Sequence, residues 1–125
     1  MSQTEPKKIF IVDDDEMLTE ALKDYLTREV QHDIHIFHTG EDCIQHIEEK
    51  PEIIILDFYL NTVDREAKDG LEILSRIRKL VPNQRFIMLS SQESYGTAAK
   101  TIAKGAEQYV IKGEDAFEKI ARLIG

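Results

Sequence analysis

Five short apolar runs, each stopping abruptly at a polar residue, alternate along this chain with five stretches whose apolar residues recur at helical spacing. The runs are residues 8–12 (KIFIV), 33–38 (DIHIFH), 52–57 (EIIILD), 85–89 (RFIML) and 107–111 (EQYVI). The near-continuous apolarity and branched content of most of them suit strands buried on both faces, the second run being the weakest. Leu18, Ala21, Leu22, Tyr25 and Leu26 predict an amphipathic helix over 16–29. A second helix is expected to start at a Thr39 cap, with Glu41 and Asp42 in its first turn, and to run through Cys43, Ile44 and Ile47 until Pro51 stops it. Leu71, Leu74, Ile77 and Val81 mark a third, and Tyr95, Ala98, Ala99, Ile102 and Ala103 a fourth, closed by Gly105. Phe117, Ile120, Ala121 and Ile124 mark the last. Strands separated by helices must pair mostly in parallel through right-handed crossovers, with helices on both faces. The expected fold is therefore α/β, a parallel five-stranded sheet of order 2-1-3-4-5.

Length and charge narrow what such a fold can do. The 125 residues suit one domain, 1–125, of which about the first six form a polar tail. A net charge of −8 argues against direct nucleic-acid binding, which needs a basic stripe. No apolar run approaches the roughly 18–20 residues that span a bilayer, so no membrane partner is expected. The start of the chain lacks the apolar core of a signal peptide, and Cys43 is the only cysteine, which fits a cytoplasmic protein.

Ligands on open α/β sheets bind beyond the carboxyl ends of the strands, near the switch between the first and third. There the first run delivers Asp13 and Asp14, the third Asp57, the fourth Ser90 and the fifth Lys112. Three carboxylates brought together repel, so something must offset them. A divalent cation with oxygen ligands answers that need, and Mg²⁺ suits better than zinc because no cysteine or histidine stands at these ends. Three carboxylates, one ammonium and one divalent cation balance to zero. Such a site favours phosphoryl transfer, and a carboxylate can be the nucleophile. Asp57, alone at the end of the central strand, is the best placed for that role. The Asp13/Asp14 pair is better suited to hold the metal, while Ser90 and Lys112 could each meet a phosphoryl oxygen.

With these five positions in order, the chain resembles the receiver domain of bacterial two-component response regulators, over about residues 7 to 124. Tyr109 matches the aromatic position of the family's switch, Asp69-Gly70-Leu71 the start of its third helix, and Lys104-Gly105-Ala106 its approach to the fifth strand. The resemblance implies a flavodoxin-like fold in which Asp57 accepts a phosphoryl group from a sensor histidine kinase or a histidine phosphotransfer protein. It implies Mg²⁺, or Mn²⁺ in its place, held by Asp14, Asp57 and the backbone carbonyl of Tyr59, with Asp13 acting largely through water. Ser90 would then move to bond the phosphoryl group and Tyr109 would turn inward. The surface of the fourth helix, fifth strand and fifth helix would change its affinity for a downstream protein or output domain. The resemblance also admits a phosphorylation-dependent homodimer, and it makes the chain a phosphoacceptor rather than an enzyme with a separate substrate.

The chain departs from the family at a few places. A charged insert, about 62–68, lengthens the loop after Asp57, and Asn61 replaces a usual proline. The insert reads either as a tolerated surface loop or as a kinase-selecting or gating loop. Gly113 replaces the proline that usually follows the lysine, so the Lys112–Gly113 bond is expected to be trans. Tyr59 and Gln92 flank the path of an attacking water, and bulky Tyr59 is expected to slow hydrolysis of an acyl phosphate. His32, His35 and His38 fall at a spacing of three, which on a strand alternates faces and does not make a zinc site. Asp14 or Asp15 could cap the first helix, and Arg76, Arg78 and Lys79 read as a solvated helix face.

Other functions weighed on this fold are the receiver portion of a longer regulator, a phosphorylation-independent interaction module and a Mg²⁺-dependent phosphohydrolase. The last would need a second acid near the nucleophile, where Tyr59 stands. A flavin site fails because three aspartates at the first turn would repel the cofactor phosphate.

Overall fold

A computed structural model of the chain describes residues 5–59, 70–91 and 95–125. The 62–68 insert, Asn61, Asp69, Gln92 and the first four residues of the tail lie outside the described residues. The strands are β1 (Lys8–Val12), β2 (Asp33–Phe37), β3 (Ile53–Asp57), β4 (Arg85–Ser90) and β5 (Gln108–Ile111). All pair in parallel, in the order β2-β1-β3-β4-β5, as the alternation predicts. The helices are α1 (Glu16–Leu26), α2 (Gly40–Gln45), α3 (Gly70–Leu80), α4 (Tyr95–Ala103) and α5 (Ala116–Ile124).

Side chains alternate across the strands, so one sheet carries two cores. Ile9, Ile11, Ile53, Ile55, Ile87 and Leu89 pack under Leu22 and Leu26 of α1 and Ile120 and Ile124 of α5. Phe10, Val12, Ile54, Leu56, Phe86 and Met88 pack under Cys43 of α2 and Ile73, Leu74 and Ile77 of α3. Burying a large aliphatic side chain stabilises by about 1.5–3 kcal/mol, and the central strands are apolar on both sides for that reason.

The helix ends differ from the expectation. α1 stops at Leu26, three residues early, where the Thr27 hydroxyl turns back to the Lys23 carbonyl at 2.8 Å. Asp15, not Asp14, caps that helix, accepting from the Leu18 amide at 3.1 Å. Thr39 caps α2 as read, accepting from the Asp42 amide at 3.1 Å. The helix then gives way to a separate 3₁₀ turn, Ile47–Glu49, closed by Lys50 at φ 58°. Arg78 is not a solvated charge. Its guanidinium donates to the Gly105 carbonyl and, at 2.7 Å, to the Pro82 carbonyl, and lies 5.5 Å from the Phe86 ring centre. The described residues contain no cis peptide, so Lys112–Gly113 is trans as expected.

Candidate functional site

Register brings the strand ends together. Val12 pairs with Leu56 and Asp57 with Leu89, while Ser90 pairs with Ile111, so the residues that close these strands gather at one edge of the sheet. The ladder continues past the strand ends: the Phe58 amide donates to the Leu89 carbonyl at 2.9 Å and the Lys112 amide to the Ser90 carbonyl at 2.7 Å. Those bonds fix the backbones from which the site projects.

Asp13, Asp57 and Ser90 are all but inaccessible, at 1%, 3% and 0% exposure, and Asp14 is half-buried. One carboxylate oxygen from each of Asp13, Asp14 and Asp57 lies within 4.8 Å of the others. The Lys112 ammonium bridges two of the acids, 3.1 Å from Asp13 Oδ2 and 3.5 Å from Asp57 Oδ1. Asp57 Oδ1 also accepts from the Tyr59 amide at 3.3 Å, and Asp13 Oδ1 from the Asp15 amide at 3.0 Å.

The electrostatics follow from that packing. Burial, then the charge of Asp13, pushes the Asp57 carboxyl up to about 7, against the pull of Lys112 and of the Tyr59 amide. Burial likewise raises Asp13. Burial alone would depress the Lys112 ammonium, yet the carboxylates of Asp57 and Asp13 hold it above its ordinary value. One positive charge does not fully compensate this pocket.

A buried oxygen, Asp13 Oδ2, makes no aligned hydrogen bond, although it faces Lys112 across an ion-pair distance. An under-satisfied carboxylate oxygen beside two further carboxylates is what a hard divalent cation takes, and Asp13, Asp14 and Asp57 could hold one. The structure thus brings Asp13, Asp14, Asp57 and Lys112 together, and Ser90 ends the neighbouring strand, its backbone carbonyl accepting from the Lys112 amide. Tyr109 sits half-buried on β5 against the face that α3 covers. The three histidines are scattered: His32 Nδ1 accepts from the Lys7 amide, His35 meets Asp33, and His38 reaches the Asp13 carbonyl. That last contact has no counterpart in the sequence reading. The β1–β2 register, which pairs Val12 with Phe37 and so sets His38 beside Asp13, is the signal that would have found it.

The chain matches the sequence model of the response regulator receiver domain over residues 9–124. The response regulator protein VraR of Staphylococcus saprophyticus is 29% identical over 117 residues, which cover 90% of this chain and 53% of that protein. The chain therefore spans about half the length of this curated relative. Among solved structures, the BeF3-activated receiver domain of DrrB, a Thermotoga maritima protein, superposes with a TM-score of 0.80 at 27% identity, covering 94% of each chain. A signal receiver domain from Vibrio parahaemolyticus gives 0.77 at 30% identity, again over 94% of each.

Proposed function

The chain belongs to the response regulator receiver domain family, and from that premise we propose that it is a phosphorylation-controlled switch whose acceptor is Asp57. The observation that supports this most is the buried Asp57 carboxylate, within 4.8 Å of the Asp13 and Asp14 oxygens and 3.5 Å from Lys112. An oxygen of Asp57 attacks the phosphorus of a phosphohistidine; the P–N bond breaks, and the imidazole leaves with its electron pair and takes up a proton. Lys112 meets one phosphoryl oxygen and the Ser90 hydroxyl donates to another. Mg²⁺ or Mn²⁺ would be held by Asp14, Asp57 and the Tyr59 carbonyl, with Asp13 acting largely through water. When bound there, the cation would offset the carboxylate charge and that of the incoming phosphoryl group.

Readout follows from the same residues. Ser90 moves toward the phosphoryl group, Tyr109 turns inward, and the surface of α4, β5 and α5 changes its affinity for a downstream protein or output domain. In this reading the donor is a sensor histidine kinase or histidine phosphotransfer protein, the setting is the cytoplasm, and pairing into a homodimer would follow phosphorylation. The length of the VraR relative favours a second version, in which this chain is the receiver portion of a longer regulator. Tyr59, packed edge-on against Phe58 at 4.8 Å, hinders the water that would hydrolyse the acyl phosphate.

Incubated with acetyl phosphate, the protein is expected to gain one phosphoryl group by intact mass in Mg²⁺ and none in EDTA. Equal gain in both would overturn the metal-dependent reading. After donor removal, Tyr59→Gly is expected to lose the group faster than the parent; equal decay would refute the shielding role.

A further inference from the structure

His38 lies immediately beyond β2, outside the set of groups placed around the phosphoryl site. Its Nδ1 is 3.0 Å from the backbone carbonyl of Asp13. A carbonyl can only accept, so Nδ1 carries the hydrogen and the imidazole donates. The Asp13 amide, for its part, donates to the Phe37 carbonyl at 3.0 Å, and Asp13 Oδ1 accepts from the Asp15 amide at 3.0 Å. The edge strand β2 and the residue following it thus hold Asp13 through both polar groups of its peptide backbone. The carbonyl that His38 holds belongs to the peptide joining Asp13 to Asp14, the two acids of the β1–α1 turn that join the carboxylate cluster.

We propose that His38 is a positioning residue: by anchoring the Asp13–Asp14 peptide to the end of β2, it fixes the two carboxylates in the spacing that binds a divalent cation. The proposal rests on the metal-binding reading above. It does not involve His38 touching the cation. Outer groups that orient ligands typically change metal affinity by about 10–100-fold, and a tether acting through the backbone belongs at the low end.

Mg²⁺ alone is the probe. Its affinity is measured by calorimetry, and thermal melting is recorded in EDTA and in Mg²⁺ for the parent, His38→Ala, His38→Asn and His46→Ala. Asn places its amide nitrogen where Nδ1 stood and keeps a donor. His46, which bonds the Asp42 carbonyl at 2.9 Å away from the site, controls for loss of a surface imidazole. His38→Ala is expected to bind Mg²⁺ about 10-fold more weakly and to gain less melting temperature from it. His38→Asn and His46→Ala should stay near the parent. A merely structural role would lower the melting temperature of His38→Ala equally in EDTA and Mg²⁺ with affinity unchanged, and that result overturns the proposal. A parent that binds no Mg²⁺ would instead overturn the metal reading beneath it.

Discussion

Replacing Asp57 with asparagine is expected to make the metal-free protein more stable at pH 8. The parent buries Asp57 to 3% exposure beside Asp13, and its carboxyl is pushed up to about 7 from an ordinary 3.8, first by burial and then by that neighbouring charge. The folded state therefore holds this proton more tightly than the unfolded chain does. The stabilising effect of that proton is full below pH 3.8 and is lost as pH rises through about 7. The asparagine side chain would be neutral throughout and nearly the same shape, and Lys112 would keep Asp13 at 3.1 Å as its ion-pair partner. Because Lys112 and Asp13 share the titration, the expected gain at pH 8 in EDTA is about 1–3 kcal/mol, less than the full shift would give. Denaturant unfolding across pH measures it. The difference between variant and parent should widen from about pH 4 to about pH 7 and then level off. Saturating Mg²⁺ should stabilise the parent more than the variant. A variant less stable than the parent at pH 8 would mean that the Lys112 pair outweighs the repulsion.

A second large effect is expected from the smallest substitution near the site, Gly70→Ala. A Cβ on Gly70 would stand 2.3 Å from the Asp57 carbonyl oxygen, 2.9 Å from the Phe58 Cα and 3.0 Å from the Asp57 carbonyl carbon. All three are backbone atoms, and the Gly70 amide is tied to the Phe58 carbonyl at 2.9 Å, so neither segment can step aside alone. Relief requires moving the end of β3, and Asp57 with it. Overpacking of this kind costs about 1–3 kcal/mol or more, and Mg²⁺ binding should weaken as the carboxylates lose their spacing. Gly40→Ala offers the contrast, since its new Cβ would overlap side-chain rather than backbone atoms, Cδ1 and Cγ1 of the buried Ile73, and the site's backbone need not move. Gly96→Ala, with nothing within 4 Å, should be neutral or slightly stabilising in α4. Thermal melting of the three variants checks the order; Gly70→Ala melting level with Gly40→Ala would show that the β3 end yields freely.

The fold was legible because its signal is carried by burial. Strands such as residues 53–57, covered on both faces, have to be continuously apolar, and the first polar residue after each marks the point where the sheet ends. The candidate site was legible for the same reason: Asp13, Asp57, Ser90 and Lys112 are chemically out of place after such runs. Helix ends were less so. Nothing in the apolar spacing separates Leu26 from Glu29, because the turn is decided by the Thr27 hydroxyl competing for a backbone carbonyl. Arg78 looked like part of a basic surface because composition is blind to direction; only the packing of α3 on β4 shows its guanidinium over Phe86. The spacing of His32, His35 and His38 resembles a ligand series, whereas the partner of His38 is 25 residues away across a strand pairing.

In the proposed switch Asp57 itself carries the phosphoryl group. Peptide mapping by mass spectrometry after reaction with acetyl phosphate and Mg²⁺, with and without hydroxylamine, tests it most directly. One hydroxylamine-labile phosphoryl group is expected on the peptide holding Asp57, and none on Asp57→Asn. A group found on Asp13, Ser90 or a histidine, or an undiminished gain by Asp57→Asn, would contradict it.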